Sequence, residues 1–382
     1  MTRFYFDHNA TTPIAPAVRE AVVQALDEAW ANPSSIHQDG QRARRMMEEA
    51  RLRIAAMLGC APKEVVLTSG GTEADNLAIL GVVRADARPA RHVVTTAVEH
   101  PAVLEACGQL EREGVAVTYL QPDRQGRIDA DIFRRQLRPT TVLASVMHAN
   151  NETGAVQDVA ALAAIAREAG VLFHSDGVQA AGKLPLALAS TAISLYSISA
   201  HKLNAPKGCG ALYVRQGVAL APMLHGGRQE RSRRAGTESV TLAIALGAAA
   251  QLDRPDLTTL RDRLEQGILA RVGDAHVNAA AVPRLPNTTN IRFDGISAEA
   301  LVIALDLRGF AVSTGAACSS GSVEPSHVLL AMGLSPEQAR SSIRFSLGLG
   351  NTAEQVDHLI ETVVESVARL RKLSPTYSEV TR

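Results

Sequence analysis

The strongest constraint on the fold is a recurring unit, in which a short apolar run ends abruptly in polar residues and a helix-length segment follows. Two consecutive examples frame the middle of the chain. Val171-Leu172-Phe173 leads into His174-Ser175-Asp176-Gly177-Val178-Gln179, and the run 192–198 leads into Ser199-Ala200-His201-Lys202. Runs of this length, bounded by small and polar residues, read as buried strands. The same pattern predicts strands over 4–6, 65–68, 92–96, 115–120, 141–147 and 211–214, with helical periodicity over 16–30, 41–58 and 156–169. Such alternation predicts an α/β chain whose mostly parallel sheet is covered on both faces by helices. Ligands of these sheets sit outside the carboxyl ends of the strands, so the polar residues released there are the first candidates for function.

Helices over 240–252 and 257–272 lead to a change of character around 283–286. Beyond it, strands over 289–293, 310–313 and 342–347 mix with helices over 298–307, 325–332 and 353–373, which predicts a smaller α+β unit and a domain shift close to Asp256. A chain of 382 residues, 46% of them hydrophobic, can bury cores for about two such domains. Lysine plus arginine and aspartate plus glutamate number 39 each, so the charge balance makes no case for nucleic acid or a membrane surface. Cys60, Cys107, Cys209 and Cys318 contain no C-x-x-C pair, which fits a reducing compartment and argues against a disulfide framework or zinc ribbon. The amino end lacks an apolar leader core and no run approaches about 20 apolar residues, so a soluble cytoplasmic protein is expected.

Asp176 and Lys202 stand at the ends of neighbouring predicted strands and could meet in one cleft. Taken singly, a turn or N-cap aspartate and a solvated lysine read equally well. Together they match what pyridoxal phosphate requires: an amine for its Schiff base and a carboxylate that keeps its pyridine nitrogen protonated. The strand 65–68 opens into Ser69-Gly70-Gly71-Thr72-Glu73 and a helix start, where glycines admit an anion to backbone N–H groups and Thr72 can donate its hydroxyl. This is neither a P-loop nor a dinucleotide fingerprint, and alone it could be plain punctuation. His100, before Pro101, ends another strand; it could be solvated, or it could stack on a flat cofactor and exchange protons. A metal site built from His174, Asp176 and His201 matches no common ligand spacing.

In the smaller unit, Cys318 lies in a run of glycine, serine and alanine with too little bulk to pack. This predicts a mobile loop carrying a nucleophilic thiol, while the other three cysteines fit inert packing positions. Arg344, flanked by Ile343 and Phe345, calls for a carboxylate partner from either the protein or a substrate. The stretch 225–238 is rich in glycine and arginine, hence exposed in a monomer or clamped in an assembly.

These motifs together resemble the cysteine desulfurases of the NifS/IscS type, in the class V aminotransferase branch of fold-type I pyridoxal phosphate enzymes. The similarity covers nearly the whole chain and rests on residues 7–12, 32–37, 69–76, 99–101, 150–152, 176–179, 199–202, 234–237, 317–325 and 341–348. It implies a large domain over 15–256 with a seven-stranded, mostly parallel sheet, and a small domain formed by 1–14 and 257–382. It further implies that Lys202 holds pyridoxal phosphate, Asp176 pairs with the pyridine nitrogen, Gln179 faces the phenolic oxygen and His100 stacks on the ring. Gly71, Thr72, Ser199 and His201 would hold the phosphate, with Thr237 reaching in from the second subunit of a homodimer. Asn151 would contact the cofactor and, with Arg344, bind the substrate carboxylate.

The implied reaction removes sulfur from L-cysteine, leaving L-alanine and a persulfide on Cys318, with Lys202 or His100 moving protons. The sulfur would pass to an acceptor or iron–sulfur scaffold protein, with no direct role for nucleic acid or membrane. The resemblance implies no metal in the cofactor site and leaves Cys318 as a transient iron–sulfur ligand. Two other readings stand beside it: a selenocysteine lyase or other β-eliminating relative in which Cys318 is dispensable, and a sulfur-relay protein without catalysis. His8 stands where relatives often carry asparagine and Arg228 where glycine is frequent; the tail after Leu373 is short.

Overall fold

The computed structural model describes residues 3–315 and 324–373. The predicted loop of Cys318 therefore lies outside the described residues. The strands, in chain order, are β1 (Phe4–Tyr5), β2 (Val65–Thr68), β3 (His92–Thr96), β4 (Ala116–Leu120), β5 (Thr141–Ser145), β6 (Leu172–Asp176), β7 (Leu195–Ser199), β8 (Gly210–Val214), β9 (Ala275–Val277), β10 (Thr288–Phe293), β11 (Phe310–Ala311) and β12 (Ser342–Ser346). Seven of them form one sheet in the order β2-β8-β7-β6-β5-β3-β4. All neighbours are parallel except where β8 runs antiparallel to both β2 and β7. The fold is α/β with a mostly parallel sheet, as the alternation of elements implies, and its seven strands are the number that the resemblance implies.

Period-two alternation divides the sheet residues between two cores. Val94, Ala144, Phe173, Tyr196 and Tyr213 face one core, shared with helices Gln38–Leu58 and Val240–Ala250. Their chain neighbours Val93, Leu143, Leu195 and Leu212 face the other, shared with helices Gly71–Ala85 and Pro101–Arg112. Strands buried on both faces carry apolar residues without a solvent-facing set, which is why the runs read as continuous. The exception is β4, at the sheet edge, where four of five residues are partly or fully exposed.

The second unit is an antiparallel sheet in the order β12-β10-β9, backed by helices Thr258–Leu269, Ala298–Asp306 and Ala353–Leu373 around Ile291, Phe293, Phe345 and Leu359. The amino-terminal β1 pairs in parallel with β11, so Phe6 packs in this second core rather than in the first. The helix expected over 16–30 ends at Glu28, leaving Trp30 68% exposed; the expected strand 310–313 is only the two residues of β11. No helix among the described residues is long and apolar enough to cross a membrane.

Candidate functional site

Four strand ends deliver the site. β6 stops at Asp176, and the next residue has to be glycine: a Cβ at Gly177 would lie 1.9 Å from Cε1 of Tyr196. β7 stops at Ser199 and turns at once through a single 3₁₀ turn, Ala200–Lys202, which places Lys202 beside the end of β6. β2 opens through Gly70 into helix Gly71–Ala85. After β3, His100 caps helix Pro101–Arg112, its Nδ1 accepting the Ala102 N–H at 3.1 Å. Pro101 is the first helical residue, where a missing N–H costs nothing.

These ends surround a cavity of about 490 Å³ that brings together Gly71, Thr72, His100, Asn151, Asp176, Gln179, Ser199, His201, Lys202 and Arg344. Of the remaining sequence-named residues, Thr237 is exposed and does not line this cavity, and Cys318 lies outside the described residues. Ser313 and Gly315, just ahead of the undescribed segment, do line it. Sequence reasoning missed Asn9, Ala10, Asp75 and Met147 in the wall. For Asn9 and Ala10 the available signal was the polar run that follows β1.

The electrostatics follow from burial and a few close charges. Lys202 Nζ donates to the backbone carbonyls of Asn9 and, at 2.8 Å, Ala10. Burial, and then the Arg344 guanidinium, lower this amine to about 8, against the opposing pull of Asp7 and Asp176. Burial pushes the Asp176 carboxyl above the usual carboxylate range, opposed by His100, by the Val178 N–H that it accepts at 2.9 Å, and by Lys202. Burial also lowers His100, with Asp176 pulling the other way. His201 is lowered to about 4 by burial and Lys202, so it stands neutral, with Nδ1 3.2 Å from the Thr11 hydroxyl.

Arg344 answers its sequence puzzle in part with a protein acid: Nη2 donates to Asp7 at 2.7 Å and Nη1 to the Asn151 carbonyl at 3.0 Å. Its buried Nε has no partner among the described residues. Beneath the cavity, Asp75 is buried with Oδ1 3.6 Å from Nε2 of His174, whose ring nitrogens meet the hydroxyls of Ser145 and Ser197 at 2.8 and 2.9 Å. Burial lowers His174 to about 3, so this network is neutral at its histidine.

With this geometry in place, the family assignment rests on extent: residues 4–359 match the aminotransferase class-V family. The chain belongs to that family. A cysteine desulfurase of Trichormus azollae is 47% identical over 382 residues, covering 98% of this chain and 95% of the relative. Among solved structures, a NifS-like protein superposes with a TM-score of 0.90 at 34% identity, covering 97% of this chain and all (100%) of that one. A structure of SspA in complex with cysteine superposes with a TM-score of 0.83 at 36% identity, covering 91% of this chain and 99% of that one.

In this class-V aminotransferase fold the remaining cysteines separate cleanly from a reactive role. Burial pushes the thiols of Cys60, Cys107 and Cys209 up to about 12, where they are protonated at any physiological pH. Among the described residues no group of three or more His, Cys, Asp or Glu side chains is placed to hold a metal ion, so His174, Asp176 and His201 form no such cluster.

Proposed function

We propose that this chain is a pyridoxal phosphate-dependent cysteine desulfurase: it takes sulfur from L-cysteine, forms a persulfide on Cys318 and releases L-alanine. The reading is carried by the convergence of Lys202, Asp176 and His100 on one cavity, in a chain that matches a cysteine desulfurase over nearly its full length. The proposal includes a cytoplasmic homodimer, with Thr237 of each subunit completing the other's phosphate site, and an acceptor such as an iron–sulfur scaffold protein. It also includes a large domain over 15–256 and a small one from 1–14 and 257–382.

The cavity's own residues fit the cofactor. Asp176 is a buried acid with no cation at ion-pair distance among the described residues, which suits a protonated pyridine nitrogen. A Cβ at Gly71 would fall 2.8 Å from Cγ2 of Val178 and 3.4 Å from Cβ of Ser199, so glycine keeps open the corner where a helix start and the Thr72 and Ser199 hydroxyls suit a phosphate. The unpartnered Nε of Arg344 suits a substrate carboxylate. Lys202 would hold the cofactor covalently, His100 would lie on its ring and Gln179 would meet its phenolic oxygen.

When bound, pyridoxal phosphate supplies an electron sink that makes a proton on the adjoining carbon removable. The chain's residues do the rest. Arg344 and Asn151 orient the substrate by its carboxylate. Lys202, an amine near 8, is in part neutral close to physiological pH and can take the α-proton. His100, with its protonated form disfavoured by burial, can exchange a proton from the other wall. The Cys318 thiolate would attack the sulfur of cysteine: an S–S bond forms, the Cβ–S bond breaks, the electron pair left at Cβ takes up one proton to give a methyl group, and the α-proton that Lys202 took is given back to Cα to complete alanine.

Two substitutions test the proposal. Lys202→Ala should abolish covalent cofactor attachment and alanine formation together; retention of either refutes the assignment. Cys318→Ala should bind cofactor and cysteine normally, with no persulfide on the 316–323 segment by mass spectrometry. Full-rate release of alanine and sulfide by that variant would favour a β-eliminating lyase.

A further inference from the structure

Lys183 is an amine that the mechanism above does not use. It follows Gln179 by four residues, and its Nζ donates to Gln179 Oε1 at 2.9 Å and to Asn9 Oδ1 at 3.5 Å. No carboxylate lies at ion-pair distance from it among the described residues; the charged groups that act on it are Lys202, Arg344 and Arg254, all cations. A partly buried lysine without an acid is costly, so its retention asks for a reason other than charge pairing.

The hydrogen-bond inventory supplies one. Gln179 carries one acceptor end and one donor end, and its Nε2 donates to the Asn9 backbone carbonyl at 2.9 Å. A carbonyl can only accept, and below about pH 7, the value to which burial and the neighbouring cations lower Lys183, its ammonium can only donate. The carboxamide therefore has a single satisfied orientation, with Oε1 on Lys183 and Nε2 on Asn9. Flipping it would set donor against donor at one end and acceptor against acceptor at the other. Nε2 has a second N–H, and Gln179 lines the cavity.

We propose that Lys183 is a positioning residue: it locks the Gln179 carboxamide so that the cavity presents an N–H donor, and no oxygen acceptor, to an anionic oxygen on the bound aromatic ring. The identity of that ring rests on the reading of the cavity as a pyridoxal phosphate site. The consequence is a preference for a ring that bears a phenolate over one that lacks the oxygen.

The test uses binding to the full-length apo-protein, measured by titration calorimetry with pyridoxal 5′-phosphate and with its 3-deoxy analogue. Wild type should prefer the phenol-bearing compound. Lys183→Met should weaken that preference roughly three- to tenfold, the worth of one neutral-to-strong hydrogen bond, with affinity for the deoxy analogue unchanged. Gln179→Leu should lose the same preference, and the double variant should lose no more than either alone, because both act through one amide. Lys183→Leu, with the same expectation, covers a methionine variant that misfolds. An equal weakening of both compounds would make Lys183 merely structural, and an intact preference would also overturn the assignment. Wild-type protein that binds neither compound would overturn the reading of the cavity and this assignment with it, whereas a wild type that prefers the phenol and variants that do too overturn this assignment alone.

Discussion

The amine of Lys202 offers the most direct quantitative test of the site. An ordinary lysine near 10.5 is only about 0.1% neutral at roughly pH 7.5. With burial and Arg344 holding the group at about 8, roughly a quarter of the molecules carry a neutral amine at that pH, a gain on the order of 200-fold in nucleophile. The rate at which the apo-protein captures pyridoxal 5′-phosphate, followed by stopped-flow absorbance, should climb with pH and level off above about 8. Arg344→Gln removes the second-largest influence, and Asp7, released from its 2.7 Å ion pair, then favours the charged amine more strongly. Both changes act in one direction, so the midpoint should move up toward 10.5 and capture near neutral pH should slow. A wild-type midpoint at 10 or higher, or a midpoint in Arg344→Gln that stays in place or falls, would refute the argument that burial and this guanidinium set the amine.

Three further outcomes follow from buried groups. Burial raises Glu99 to about 8, so between about 4.5 and about 8 the folded chain holds a proton that the unfolded chain has released; stability from this group is present below that window and lost as pH rises through it. Glu99→Gln keeps an oxygen for the Thr96 hydroxyl and the Met147 N–H, and its unfolding free energy in urea should gain on wild type as pH rises across the window, by at most about 5 kcal/mol; a constant difference would contradict this. Glu230 is buried, accepts from both terminal nitrogens of Arg51 at 2.8 and 2.7 Å and from the Leu67 N–H at 2.9 Å, and begins three successive residues with positive φ. Glu230→Ala leaves the buried Arg51 with only the more exposed Glu48, 3.3 Å from its Nε, as a carboxylate partner and should cost about 2–4 kcal/mol in urea unfolding, with Arg51→Met/Glu230→Leu closer to wild type; a loss below about 1 kcal/mol would show that the pair does not anchor this segment. Gly71→Ala should weaken pyridoxal 5′-phosphate binding by the apo-protein at least tenfold with little change in melting temperature, and unchanged affinity would mean that the corner near Val178 is not part of the phosphate cradle.

The residues legible in the sequence share a position: Asp176, Ser199, His100 and Thr72 all stand where an apolar strand ends or a helix begins. A strand end is visible locally, as the point where apolar residues give way to polar ones, and the α/β architecture then fixes which end of the sheet those residues occupy. The reversal of β8 was not legible, because a buried strand reads the same in either direction and its pairing with β2 and β7 is decided by chain reversals elsewhere. The helix expected over 16–30 overran its end at Glu28 because apolar Trp30 continued the pattern past the last helical hydrogen bond, whereas the expected strand 310–313 is interrupted at Val312: β11 pairs with β1 and Ser313 then pairs singly with Arg344.

Asn9 also follows a strand, β1, but the strand-end pattern places it with the second unit and does not show which residues of the first it meets. Its carbonyl accepts from Lys202 and Gln179, its Oδ1 from Lys183 and Asn287, and its Nδ2 donates to Asn151 and Thr288, partners between 142 and 279 residues away. Asparagine can serve so many because its amide and backbone offer donors and acceptors in fixed directions. Such a hub leaves no periodic trace, since each partner is specified by its own strand or loop. The segment reaches this place because β1 is pinned to β11 in the second unit, which carries residue 9 back over the carboxyl ends of β6 and β7. Asn9, with Ala10 beside it, thus fastens one unit to the amines of the other, and a change in how this amino-terminal segment sits would be felt at Lys202.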